Sequence, residues 1–170
     1  ESGFHTEKLY NIATYLIENQ AWLEARHALY KAIEGNPNHP NAQFDYVKVQ
    51  LAIGELEDAD LRSERLTKTF PENLESYLLL GESKMKLQQY KSAQLVFHRG
   101  LEIGFHPALV LGESEALFRQ KQLKSSIKLL KKYWEEFEHP AIGSTYSLRL
   151  LNQKHWSEAH KVLSTLLKNH

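Results

Sequence analysis

An all-α solenoid of antiparallel helix pairs is the fold class this sequence predicts, on three observations. The first is a period. A small residue recurs as Ala25, Ala59, Ala93, Ser126 and Ala159, at intervals of 34, 34, 33 and 33 residues. A large residue stands three positions before each (Trp22, Leu56, Tyr90, Leu123, Trp156), and Leu29, Ser63, Phe97, Leu130 and Leu163 stand four after, Ser63 being the polar departure. Self-similarity at such a spacing marks stacked helical units, each with one apolar face to bury on its neighbours. The second observation is punctuation: His39-Pro40, His106-Pro107 and His139-Pro140 fall between the units, and Pro37 and Pro71 are 34 apart. Proline suits the first turn of a helix, where its missing N–H is not needed. The third is the lack of the alternating pattern of strands. Helix is therefore expected over about three quarters of the chain or more, far above the one-third usual in globular proteins.

In order along the chain, residues 1–5 are polar and expected to fray. The first repeat, 6–39, has helices over 6–19 and 22–35, closed by Gly35 and Pro37. The second, 40–73, has helices over 40–53 and 56–69 with a turn at Gly54-Glu55. Its second helix carries Asp58-Ala-Asp-Leu-Arg-Ser-Glu-Arg, the least apolar in the chain, and is expected to be the most exposed or mobile. The third, 74–106, has helices over 73–87 and 90–103 around the polar break Gln88-Gln89. The fourth, 107–139, poses a conflict of register. Aligning Gly112 with Gly81 puts two extra residues in the turn before Leu123; aligning on Pro107 needs no insertion but leaves Glu113 where a buried leucine is usual. The His-Pro turns and the Ala93-to-Ser126 spacing favour the second, with helices over 107–120 and 124–137. The fifth repeat, 140–170, has helices over 140–152 and 155–168. The whole of 1–170 reads as one array.

The last helix spreads Val162, Leu163, Leu166 and Leu167 over more than one face, and one face can pack near Tyr146 and Leu150. Leaving two leucines exposed forgoes roughly 1.5–3 kcal/mol each. Leu166 or Leu167 is thus expected to be covered by a neighbouring copy or by further sequence, so self-association through the C-terminal helix is one expected contact.

Composition excludes several functions. Lys plus Arg and Asp plus Glu are 21 each, so no global field draws nucleic acid or an anionic membrane. The absence of cysteine excludes disulfides and thiolate metal sites. No apolar run approaches the ~18 residues of a membrane span. The sequence opens at Glu1 rather than methionine and shows no targeting signal, which reads as a processed or excised piece of unknown localisation.

No catalytic, cofactor or metal site is expected. A helical metal pair needs histidines three or four apart to share a face, whereas His155 and His160 are five apart and His27 and His98 lie on different repeats. His39, His106 and His139 sit at equivalent turns and read as structural. No Gly-x-Ser-x-Gly, phosphate loop or His-Glu-x-x-His occurs, and Gly81 reads as a helix-packing glycine. A cluster of Lys124, Lys128, Lys131 and Lys132 raises RNA binding, but no helix carries the sustained basic stripe that would support it.

The residues from Asn73 to Leu101 carry an aromatic, Leu80-Gly81, the small Ala93 and the large aromatic Phe97 four residues later. This resembles a tetratricopeptide (TPR) repeat, and the period extends the resemblance to five repeats over essentially the whole chain. The resemblance implies a right-handed superhelix whose first helices line a concave groove. It also implies that positions two, five, nine, twelve and thirteen of each repeat face that groove. Among the residues so placed, Tyr10, Thr14, Ile17, Phe44, Lys48, Leu51, Leu78, Glu82, Met85, Leu111, Glu115 and Phe118 are the candidate partner contacts. The Lys and Asn with which some TPR domains grip chaperone C-terminal carboxylates are replaced by Tyr10 and Thr14, so that clamp is absent. The remaining apolar track suits a partner helix or an extended apolar peptide, with binding that depends weakly on salt. The expected function is a non-catalytic scaffold for protein–protein interaction within a larger assembly. The alternatives are a structural spacer or self-association module of a longer repeat protein and, behind it, an RNA-binding helical repeat.

Overall fold

A computed structural model describes the backbone of residues 2–169 and the side chains of 5–168. It is 84% helix with no strand among the described residues. Ten helices follow one another: α1 (Ser2–Glu18), α2 (Trp22–Gly35), α3 (Pro40–Ile53), α4 (Leu56–Thr69), α5 (Leu74–Lys86), α6 (Tyr90–Ile103), α7 (Pro107–Arg119), α8 (Leu123–Phe137), α9 (Pro140–Asn152) and α10 (Trp156–Asn169). They lie within about two residues of the predicted ranges, except that α1 begins at Ser2, so 2–5 are helical rather than frayed. Two compact units divide the chain at residues 1–87 and 88–170, in the turn after α5.

The periodic small residues are where the helices of each unit close on one another. Ala25, Ala59, Ala93, Ser126 and Ala159 are all buried without measurable exposure. In the first unit, α2 packs on α1 and α3, and α4 on α3 and α5. One core joins Ala25 and Leu29 to Ala13, Ala42, Tyr46 and Val49; another joins Ala59 and Leu66 to Phe44, Val47, Leu51 and Leu79. Ser63, the polar departure, is buried and donates its hydroxyl to Ala59 O at 2.7 Å, which satisfies it inside its own helix. Polar α4 is nonetheless tied in, because its Asp60 receives Lys84 Nζ at 3.0 Å and Ser83 Oγ at 2.8 Å from α5. In the second unit, α7 packs on α6 and α8, and α9 on α8 and α10. Their core gathers Val110, Leu130, Trp134, Ile142, Tyr146, Leu150, Ala159 and Val162.

The fourth repeat takes the Pro107 register. Three residues separate α7 from α8, as three separate α5 from α6, so the turn carries no insertion. Gly112 is instead a close approach: a Cβ there would meet the Phe97 ring at 2.6–2.8 Å. Glu113 is buried in the leucine position, with its carboxylate 3.2 Å from His98 Nδ1. Burial pushes the Glu113 carboxyl above its ordinary value, against the opposing pull of His98.

One regularity went unread in the sequence. The turn between the two helices of each repeat holds a residue in the left-handed region: Gln20 (φ 58°), Gly54 (85°), Gln88 (60°), Lys121 (62°) and Lys154 (62°). These again step by 34, 34, 33 and 33. In four of the turns the next N–H reaches back five residues, as Ala21 N to Leu16 O, Glu55 N to Gln50 O, Gln122 N to Leu117 O and His155 N to Leu150 O, at 2.9–3.0 Å. This is the bond by which a left-handed residue closes a helix end. Only Gly54 announces it by residue type.

Candidate partner-binding faces

The candidate contacts lie on α1, α3 and α5 in the first unit and on α7 in the second, and the two units are described in turn. Two of the first unit's candidates are not available to a partner. Phe44 and Leu51 are core residues, with Phe44 tilted against Phe70 at 5.6 Å between ring centroids. They support the face from beneath. Ile17, Leu78 and Met85 are half-buried, so the first unit does not present the continuous apolar track expected.

What joins its helices is polar. Tyr10 on α1 donates its hydroxyl to Asp45 Oδ2 on α3 at 2.9 Å. Lys48, one turn further along α3, bridges Asp45 Oδ1 at 3.0 Å and Glu75 Oε1 on α5 at 2.6 Å. Burial alone would lower the Lys48 pKa, but its bonds to Glu75 and Asp45 outweigh that and raise it. The Tyr10 hydroxyl is likewise held protonated, first by burial and then by Asp45. Thr14 turns back on its own helix, donating to Tyr10 O at 3.0 Å. A line of hydrogen bonds thus crosses three helices and fixes their side chains. Glu82 lies at the end of this line. It is exposed to water yet crowded enough that desolvation raises its carboxyl pKa, countered only through space by Lys86 and Lys48.

In the second unit, Glu115 on α7 pairs with Arg149 Nη2 on α9 at 2.5 Å and with Arg119 Nε on its own helix at 2.7 Å. The Arg149 guanidinium lies over the Phe118 ring at 3.7 Å from its centroid, a geometry that adds cation–π attraction. Its Nε is buried with no partner. Leu111 is half-buried against the unit's core, and Leu148 stands exposed on α9.

Asp45, Glu75 and Arg149 therefore belong to these faces beside the expected residues. Asp45 and Arg149 occupy positions six and ten, outside the pattern that the resemblance implies. A usable signal existed, since Glu115 and Arg149 are opposite charges 34 residues apart, one more than the 33-residue step between their repeats. Two of the three turn histidines have structural roles. His39 Nδ1 accepts from Ala42 N and His106 Nδ1 from Ala108 N, both at 3.2 Å, which caps α3 and α7. His139 makes no such bond, and its Nδ1 is buried without a partner. Among the described residues no group of three or more His, Asp or Glu could hold a metal ion. No described helix is long and apolar enough to cross a membrane.

Comparison with known proteins places this architecture. A profile of the tetratricopeptide repeat family matches residues 16–69. No curated protein sequence matches the chain. Solved structures do. A thermophilic TPR protein of Thermus thermophilus superposes with a TM-score of 0.75 at 18% identity, over 96% of this chain and 90% of that one. MamA of Desulfovibrio magneticus RS-1 gives 0.76 at 15% identity, over 96% and 94%. The Sgt2 TPR domain of Aspergillus fumigatus gives 0.64 at 19% identity, over 71% and 82%.

Proposed function

From a chain with the tetratricopeptide-repeat fold, we propose a non-catalytic scaffold that binds a segment of another protein on the first-helix faces of its repeats. TPR folds commonly serve as protein-interaction scaffolds. The observation that carries the reading is the hydrogen-bonded line from Tyr10 through Asp45 and Lys48 to Glu75. Side chains on three helices are held in place before any partner arrives, and that preorganisation lowers the ordering cost of binding. The chemistry on that face selects the partner. Asp45 and Glu75 are already shared with Lys48, whereas the Glu82 carboxylate has no direct cation and sits partly desolvated. Beside it, Met85 and Leu78 are half-exposed apolar side chains. The fitting partner is an extended or helical segment that offers an apolar side chain together with a lysine or arginine.

Two peptides of equal apolar content, one with basic and one with acidic flanking residues, test this by titration calorimetry on the whole chain. The basic peptide should bind more tightly. Glu82→Lys and Met85→Ala should each weaken it about tenfold, which is ~1.4 kcal/mol. Because Glu82 acts through charge, raised salt should weaken binding as well. Equal binding of the acidic peptide, or indifference to both substitutions, overturns the reading.

A further inference from the structure

Arg62 and Arg65 stand three residues apart on α4, the helix whose sequence is the least apolar in the chain. Side chains at that spacing share a helix face. Neither guanidinium is used inside the first unit. Among the described residues no carboxylate lies within 4 Å of either, and neither donates a hydrogen bond, whereas Arg26, Arg119 and Arg149 each hold a glutamate. Glu64, the acid between the two, is drawn away to Lys68 Nζ at 3.0 Å.

Both arginines line one cleft, of about 430 Å³, between α4 and the turn from α2 to α3. That volume lies within the roughly 300–1,000 Å³ usual for ligand sites. Pro37, Leu66 and Phe70 make part of its lining apolar, Asn38, Gln43 and Thr69 add polar groups, and no acidic side chain lines it. Its walls are held in place. The Arg62 guanidinium lies over the Tyr46 ring at 4.5 Å from the centroid. Gln43 Nε2 donates to Pro37 O at 2.9 Å, tying α3 to the turn, and Thr69 Oγ1 donates to Arg65 O at 3.0 Å.

We propose that this cleft binds a phosphate monoester, presented as the phosphorylated serine or threonine of another protein with an apolar residue beside it. Two guanidiniums match the nearly double negative charge of a phosphorylated side chain. Each can also give it two parallel N–H···O bonds, for which a phosphate has oxygens enough and a carboxylate does not. The apolar part of the lining takes the neighbouring side chain. Nucleic acid fits less well, because a phosphodiester carries a single charge and its bases need an aromatic face to stack on. Phe70 is the one ring in the lining, and it is already packed on Phe44. None of the cleft residues is among the candidate contacts of the first-helix faces, so this site stands or falls separately from the reading above.

Fluorescence polarisation on the whole chain tests the proposal with labelled peptides of randomised sequence around a fixed phosphoserine. The same peptides with serine or glutamate at the fixed position, a labelled oligouridylate and unlabelled inorganic phosphate are the other probes. The phosphoserine peptides should bind at least tenfold more tightly than either counterpart and than the oligouridylate. Inorganic phosphate should compete only at far higher concentration, since it lacks the apolar part. Arg62→Lys and Arg65→Lys keep the charge but lose the planar fork, and each should weaken binding about tenfold. Arg65 is exposed, so its replacement disturbs no core, and circular dichroism checks the helices of both variants. Serine or glutamate peptides that bind as well, lysine variants that bind as the wild type does, a tighter oligouridylate, or inorganic phosphate that competes as strongly as the peptides each overturns it.

Discussion

At Gly112 a single methyl group would collide with an aromatic ring. The added carbon would lie 2.6–2.8 Å from three atoms of Phe97, closer than packed carbons tolerate, and Phe97 is itself buried. Gly112→Ala should therefore cost about 1–3 kcal/mol, as overpacking of a filled core does. Shortening the opposing ring in the same chain, as Gly112→Ala with Phe97→Leu, should recover part of it. Urea denaturation of the two variants and of Phe97→Leu alone measures both effects. A single variant as stable as the wild type would mean that α7 can move off α6. Single positions were legible in the sequence where a residue's size states its role. The small residues Ala25 to Ala159 gave the period and are all buried. Asp45 was not legible, because it acts across to a helix 35 residues away and nothing in its local spacing says so; Arg149 shows itself only beside the opposite charge of Glu115, 34 residues earlier.

The helices as elements begin on side chains that the sequence shows but does not explain. Three of the five first helices start at a His-Pro pair, yet only His39 and His106 accept a backbone N–H through Nδ1. His106 is exposed, so its cap can be removed without disturbing a core. His106→Leu should destabilise the chain by about 0.5–2 kcal/mol, and His106→Asn, which can still accept the bond, should not. His139 differs, since its Nδ1 is buried and unpaired. Replacing it with leucine should be close to neutral, because no bond is lost and an unsatisfied polar atom goes with it. Thermal denaturation of the three variants separates capping from a general intolerance of change at these turns; equal losses at 106 and 139 would count against capping. Helix ends were read well from the sequence because proline and glycine mark them. The start of α1 was misread, for a polar stretch with no such mark can still be helical.

Over the molecule as a whole, the repeating pattern gave the class of fold, and the polar chemistry of the faces came only with the structure. Apolar periodicity reports which side of a helix is buried. It does not report that Phe44 and Leu51 lie beneath their face while Lys48 spans it. The five left-handed turns bear on the molecule's stability as well as its geometry. Four of them hold glutamine or lysine in a conformation that costs a side-chain-bearing residue about 1–2 kcal/mol, against the roughly 0.5–1 kcal/mol of chain entropy that a glycine would lose there. Gln20, Gln88, Lys121 and Lys154 are at least 33 residues apart, too far in sequence to share neighbours. Changing each to glycine should raise the melting temperature in small, nearly additive steps, and a fourfold variant no more stable than the wild type would show that these side chains repay the strain. The five turns thus share one backbone shape across Gln, Gly and Lys, and do not require the residue that adopts it most easily. Each of the four turns without glycine is a place where stability can be added without touching a core or a candidate contact.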